Sequence, residues 1–196
     1  MPKIMNKGSQ TMKRYLIILT SLFMMLGGMF LPLSLSATIT DLHNAAARGD
    51  VAEITRLLDA GADIEARADG GITSLHIAAV GGQSEAIITL LDRGADIEAR
   101  SELGFTPLHG AAQEGQSRAI TTLLGRGAKI ESRDMFGFTP LHTVAYFRHS
   151  VAIITLLDRG ADAKARNNAG KRPIDLANDK NMAKGAAYWR LHDASY

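Results

Sequence analysis

Thr106-Pro107-Leu108-His109-Gly110-Ala111-Ala112 and Thr139-Pro140-Leu141-His142-Thr143-Val144-Ala145 stand 33 residues apart. Another 33 residues upstream is Thr73-Ser74-Leu75-His76, and before it Thr40-Asp41-Leu42-His43. Downstream, Arg172-Pro173-Ile174-Asp175 is a degraded copy. Other landmarks keep the same register. They are the pairs Ala45-Ala46, Ala78-Ala79 and Ala111-Ala112, the pairs Leu57-Leu58, Leu90-Leu91, Leu123-Leu124 and Leu156-Leu157, and Gly61, Gly94, Gly127 and Gly160. Self-similarity at a fixed period of this size is the signature of a stacked repeat.

Each landmark has a physical role. Thr caps a helix N-terminus, and Pro fits the first helical position, where its missing N–H had no intrahelical partner. The alanine pair makes the first helix thin, so neighbouring helices approach closely. The leucine pair, with Ile87-Ile88 or Ile153-Ile154 before it, gives the second helix its buried stripe. The glycine after it stops that helix. A second glycine, at 71, 104, 137 and 170, suits a tight turn before the next cap. Each unit therefore reads as helix, turn, helix and a short extended hairpin. One such unit cannot bury its apolar side alone, so units must stack.

A 33-residue period carrying T-P-L-H-x-A resembles the ankyrin repeat. The resemblance runs from about Thr38 to Arg166, with a divergent closing unit beyond it. It implies an all-α solenoid of helix-turn-helix units with short β-hairpin loops, about four repeats plus a C-terminal cap. The units are approximately 38–67, 68–100, 101–133 and 134–166, with the cap at 167–196. It also implies a concave face of hairpins and first helices that binds proteins, and no active site. The first unit lacks its hairpin and is expected to act as an N-terminal cap. Arg148 stands where a glycine usually ends the first helix, Val144 replaces the first alanine of its pair, and Asn178 replaces an alanine in the last unit. Tyr188-Trp189-Arg190-Leu191 is expected to form a lid over the end of the core, with Trp189 near the register of the buried leucine pair.

Residues 1–36 read differently. Lys13-Arg14 precede an uncharged stretch from Tyr15 to Thr40 whose apolar heart is Leu16 to Leu31, then Pro32 and Ser34-Leu35-Ser36-Ala37. Basic, apolar and small residues in that order describe a bacterial secretory signal peptide, with cleavage after Ser36 or, second, after Ala37. Residues 1–11 are a candidate upstream extension, and 37–196 form the repeat domain. The alternative is an inner-membrane anchor over residues 15–33, whose apolar run is near the roughly 17 residues a span needs. The expected location is periplasmic or secreted.

Of the 22 basic residues, Lys3, Lys7, Lys13 and Arg14 lie in the leader, which carries no acid, so the remainder has 18 against 20 acids. A body of net charge −2 argues against nucleic acid, which selects a concentrated basic surface. The chain has no Cys, which removes disulfides, thiolate metal sites and cysteine nucleophiles together.

His43, His76, His109 and His142 recur one per unit, and stacking sets them about 10 Å apart, too far to share one metal ion. Each is three residues after a cap and is expected to bond that cap or the neighbouring hairpin. His149 and His192 show no partners in the sequence. Arg67, Arg100, Arg133 and Arg166, with Glu65, Glu98 and Glu131, are expected to form hairpin ion pairs; the alternative is a basic strip for an acidic partner. Lys164 replaces the fourth acid. No nucleophile elbow, P-loop, dinucleotide fingerprint or zinc-protease motif is present.

The functional signal lies in the aromatics. After the leader, every Phe (105, 136, 138 and 147) falls at a hairpin tip or on a first helix, while the repeat core is Leu, Ile and Ala. Phe105, Phe136, Phe138, Tyr146 and Phe147, extended by Leu103 and Met135 and rimmed by Glu114 and Arg148, form the expected partner-binding patch. The competing reading packs Phe138 or Tyr146 between adjacent hairpins. The expected function is non-enzymatic binding of another protein, with no cofactor, metal, nucleic acid or small-molecule substrate, by a monomer that meets a membrane only if its leader is retained. Alternatives are an effector acting on a host protein, a membrane-anchored scaffold, and a small envelope stress, hydrolytic or metal-binding protein.

Overall fold

A computed structural model describes residues 41–179 and 185–196. The leader with its cleavage positions, and the side chain of Asn178, lie outside the described residues. Among the described residues ten α-helices follow in pairs: α1 (Asp41–Arg48) with α2 (Val51–Asp59), α3 (Ser74–Val80) with α4 (Ser84–Asp92), α5 (Pro107–Gln113) with α6 (Ser117–Gly125), α7 (Pro140–Phe147) with α8 (Ser150–Asp158), and α9 (Pro173–Asp179) with α10 (Ala186–Ala194). First helices pack on first helices along the stack, and second helices on second helices. Among the described residues no helix is long and apolar enough to cross a membrane.

The 33-residue register is a register of core layers. Leu75, Ala78, Ala79, Ile87 and Leu90 are fully buried, and so are Leu108, Ala111, Ala112, Ile120 and Leu123, then Leu141, Val144, Ala145, Ile153 and Leu156. Burying each large side chain contributes about 1.5–3 kcal/mol, so each of these three units anchors itself with at least three of them. Val144 in place of alanine is accommodated at the centre of its layer, with no exposure. In the first unit Leu57 is only half-buried, because no described unit stacks before it.

The loops between units contain no strand among the described residues beyond one isolated antiparallel bridge, Ala68 to Ile72. They are hairpins in chain path only. Each arm is so short that two bonds close it: the N–H of Ser101 donates to the Phe105 carbonyl at 2.9 Å and that of Gly104 to the Ser101 carbonyl, and the N–H of Asp134 donates to the Phe138 carbonyl at 3.0 Å and that of Gly137 to the Asp134 carbonyl. Neighbouring hairpins join through Glu102 N–H to Gly70 O, Met135 N–H to Leu103 O and Asn168 N–H to Phe136 O, at 2.8–3.0 Å. Gly137 (φ 73°) makes its turn with Asn168 so near that an added Cβ would lie 2.9 Å from the Asn168 backbone nitrogen.

Two side-chain ladders lock these hairpins. Arg67 Nη1 donates to the carbonyls of Gly71 and Arg100, Arg100 to those of Gly104 and Arg133, and Arg133 to those of Gly137 and Arg166, at 2.7–3.3 Å. Glu65, Glu98 and Glu131 accept from the backbone N–H groups of Asp96, Lys129 and Asp162, each at 2.8 Å. The expected ion pairs are therefore replaced by backbone staples. A guanidinium with five fixed donors reaches two carbonyls at once, and those carbonyls have no ladder partner. The ion pairs lie elsewhere, along the second helices: Asp59 to Arg93, Asp92 to Arg126 and Asp158 to Arg190.

The lid forms, with a different inner face from the one expected. Ala187, Tyr188 and Leu191 of α10 are buried, whereas Trp189 is 48% exposed. Residues 187, 188 and 191 share one side of a helix, and Trp189 projects from another. Tyr188 occupies the seat assigned to Trp189.

Candidate functional site

The site is built on the caps of the first helices. Thr73, Thr106 and Thr139 are extended, and their N–H groups donate to Nδ1 of His76, His109 and His142 at 3.2–3.3 Å. The opposite ring nitrogen, Nε2, lies 3.0 Å from the carbonyls of Phe105, Phe138 and Lys171. A carbonyl only accepts, so Nε2 carries the proton and the rings are neutral. Burial pushes His76 and His109 down to about 4, and lowers His43 and His142 as well. The histidines thus tie each first helix to the following hairpin, as their spacing suggests, and no group of residues able to hold a metal ion occurs among the described residues.

Above this frame the aromatics of the fourth unit form one connected run. Phe138 meets His142 at 5.5 Å between ring centroids and Tyr146 edge-on at 6.4 Å. Tyr146 meets Phe147 edge-on at 5.3 Å, and Phe147 stacks on His149 at 6.1 Å. His149 Nε2 lies 2.7 Å from the Gln113 carbonyl. His149 was not among the residues expected at the site. Its register was the available signal: Gln83 and Gln116, at the same position of earlier units, donate to the carbonyls of Ala47 and Val80.

The expected patch divides. Met135 is 56% exposed, Leu103, Phe105, Phe136, Tyr146 and Phe147 are half-buried, and Glu114 and Arg148 are exposed at the rim. Phe138 is 8% exposed and belongs to the hairpin's own packing rather than to a partner-facing surface, because Tyr146 covers it. Val151, at the start of α8, is 69% exposed.

Two local features are particular to this site. Arg148 ends α7 at φ 65°, a conformation that Gly49, Gly82 and Gly115 supply in the earlier units. A residue with a Cβ there costs about 1–2 kcal/mol. Asp134 accepts from the N–H groups of Phe136 and Phe138, both at 2.8 Å, and burial pushes its carboxyl up to about 6 against those two bonds. Asn167 makes the same pair of bonds in the next hairpin. Met135 and Phe136 are therefore presented by a rigid backbone.

No curated protein matches the chain. One family model, described as Ankyrin repeats (3 copies), matches residues 42–134, and another, Ankyrin repeats (many copies), matches residues 123–177. Together they span the stacked units from α1 into α9, and the chain belongs to the ankyrin-repeat family.

Proposed function

We propose that this protein is a non-enzymatic module that binds another protein through the hairpin and first-helix surface of units three and four. Ankyrin repeats in general mediate binding to other proteins. The observation that carries the location is that Met135, Phe136, Tyr146 and Phe147, large apolar side chains of one unit's hairpin and first helix, are left partly or largely exposed. Side chains of this kind are enriched at interface hot spots, and a patch left in water invites association. Arg148 supports the same place, since backbone strain gathers where function requires a particular side chain.

The basic, apolar and small-residue order of residues 12–37 supports a location in the cell envelope or outside the cell. A periplasmic partner and an effector released toward a host protein remain its two variants. The N-terminus of protein recovered from the periplasm is expected at Ala37 or Thr38, and full-length protein confined to the cytosol would overturn export.

The binding surface is tested by crosslinking in cells from positions 135 and 147, followed by affinity measurements on the captured protein. Phe147→Ala is expected to weaken binding by about thirtyfold or more with little change in melting temperature. A large loss of stability with affinity intact would make the ring part of the core.

A further inference from the structure

The hairpins share one tip position, four residues before Thr73, Thr106, Thr139 and Arg172. It is occupied by Asp69, Glu102, Met135 and Asn168, and all four are exposed. Three of them are polar, as a tip in water favours, and one is a thioether. Met135 is 56% exposed and is the only methionine among the described residues. A long apolar side chain left in water contributes little to folding, so packing does not account for it.

The hairpin does not depend on that side chain. The N–H of Met135 donates to the Leu103 carbonyl, and the Met135 carbonyl accepts from Asn168 Nδ2, both at 3.0 Å. Asp134 Oδ1 accepts from the N–H groups of Phe136 and Phe138. Every one of these bonds is made by the backbone of the tip or by a neighbouring residue. In the preceding hairpin the N–H of Glu102 bonds the Gly70 carbonyl in the same way, with a carboxylate at the tip. A polar group at position 135 therefore meets a frame that already carries one in its other copies.

An accessible thioether is open to oxidation by hydroperoxides. A sulfur lone pair attacks one peroxide oxygen, the O–O bond breaks, and that oxygen stays on sulfur as the sulfoxide. The other oxygen takes the proton and leaves, as water from hydrogen peroxide. Sulfur gives up two electrons and the peroxide gains them. The product is polar, and methionine sulfoxide reductases restore the thioether.

Resting on the docking surface proposed above, we propose that Met135 is a reversible oxidation site whose sulfoxide weakens docking on the hairpin of unit four while leaving the fold intact. Phe136, beside it in the chain, is half-buried, so the new polar group arises among the apolar side chains of that surface. Sulfoxide formation disrupts interfaces that use the soft, adaptable methionine side chain, and at this position it does so without touching the core.

Trypsin releases residues 134–148 as a peptide in which Met135 is the only methionine. In purified protein exposed to hydrogen peroxide, mass spectrometry is expected to show that peptide gaining one oxygen within about threefold of the rate for N-acetylmethionine amide. The melting temperature is expected to shift by less than about 2 °C. The second arm is crosslinking in cells from a photoreactive residue at position 147. Peroxide is expected to lower capture by about fivefold or more in wild type and to leave capture by Met135→Leu unchanged. Met135→Gln, polar without oxidation, is expected to start at the low level. Oxidation more than about tenfold slower than that of the free amide overturns the proposal. So does a fall in melting temperature that Met135→Leu is spared, full capture by Met135→Gln, or capture that responds to peroxide equally in wild type and Met135→Leu. Capture absent from wild type before peroxide is added would instead overturn the docking surface, whatever the oxidation rate.

Discussion

The hairpins at Ser101–Phe105 and Asp134–Phe138 have the same skeleton and different exposure. Both close with two backbone bonds, both turn at a glycine of nearly equal φ (75° and 73°), and both offer the carbonyl of a Phe to a histidine Nε2 at 3.0 Å. Yet Phe105 is half-buried and Phe138 is buried. The position of the ring is shared, so the difference comes from its neighbour. The first helix beside Phe138 carries Tyr146, whose ring meets it edge-on, and the helix beside Phe105 carries Gln113 at that register. The repeat fixes where a side chain starts, and the adjoining helix decides whether water reaches it. The base residues differ as well: Ser101 holds one hairpin with a hydroxyl and Asp134 holds the other with a carboxylate.

Acid strains what the two hairpins share, and it carries the largest expected effect. His76 and His109 have folded values lowered to about 4 against an ordinary 6.5, so the unfolded chain takes up protons first. Their contribution is complete above pH 6.5 and is lost as pH falls from 6.5 through about 4. Each ring amounts to about 3 kcal/mol over that window, and His43 and His142 act in the same direction. Urea titrations at a series of pH values are expected to show a steep fall below pH 6.5. A flat profile from pH 7 to 4.5 would mean that these rings charge freely and the ties to the hairpins are weak.

The two phenylalanines are the direct way to break the comparison. Phe138→Ala is expected to cost about 3–4 kcal/mol, within the usual range for a buried ring, and Phe105→Ala about half of that. Tyr146→Gln, which gives the fourth unit the residue of the third, is expected to bring the two costs together. Chemical denaturation of wild type, the three single variants and the F138A/Y146Q double variant measures this. Equal costs in the parent protein would show that the neighbouring tyrosine is irrelevant.

Asp134→Asn sharpens the contrast at the base and has the smallest effect. The carboxyl is raised from 3.8 to about 6 by burial, so the folded state holds its proton more tightly than the unfolded state. Its penalty is fully present above pH 6 and disappears as pH falls from 6 toward 3.8. Asn167 already makes the same two bonds without charge. The variant is expected to gain about 1 kcal/mol at neutral pH and nothing near pH 4. Loss of stability at neutral pH would show that the hairpin needs the charge.

Much of this molecule was legible in its sequence because a stacked repeat writes its contacts at a fixed spacing. The thirty-three-residue period, the caps, the helix-ending glycines and the buried leucine and alanine layers were all readable from sequence distance alone, since each unit meets only its neighbours. The histidine ties to the hairpins were legible for the same reason. Sequence spacing also marked Phe105, Phe136, Phe138, Tyr146 and Phe147 as departures from the repeated core.

Tertiary structure decided what spacing leaves open, namely which side chain covers which. It buried Phe138 beneath Tyr146, turned Tyr188 inward and Trp189 outward on α10, and joined His149 to Phe147 and to the Gln113 carbonyl. It sent the ladder arginines to backbone carbonyls instead of the accompanying glutamates. For the first three the physical reason is common. Register is a property of the backbone and repeats with it, whereas burial and hydrogen-bond choice depend on the side chains of adjacent units, which here differ from one unit to the next.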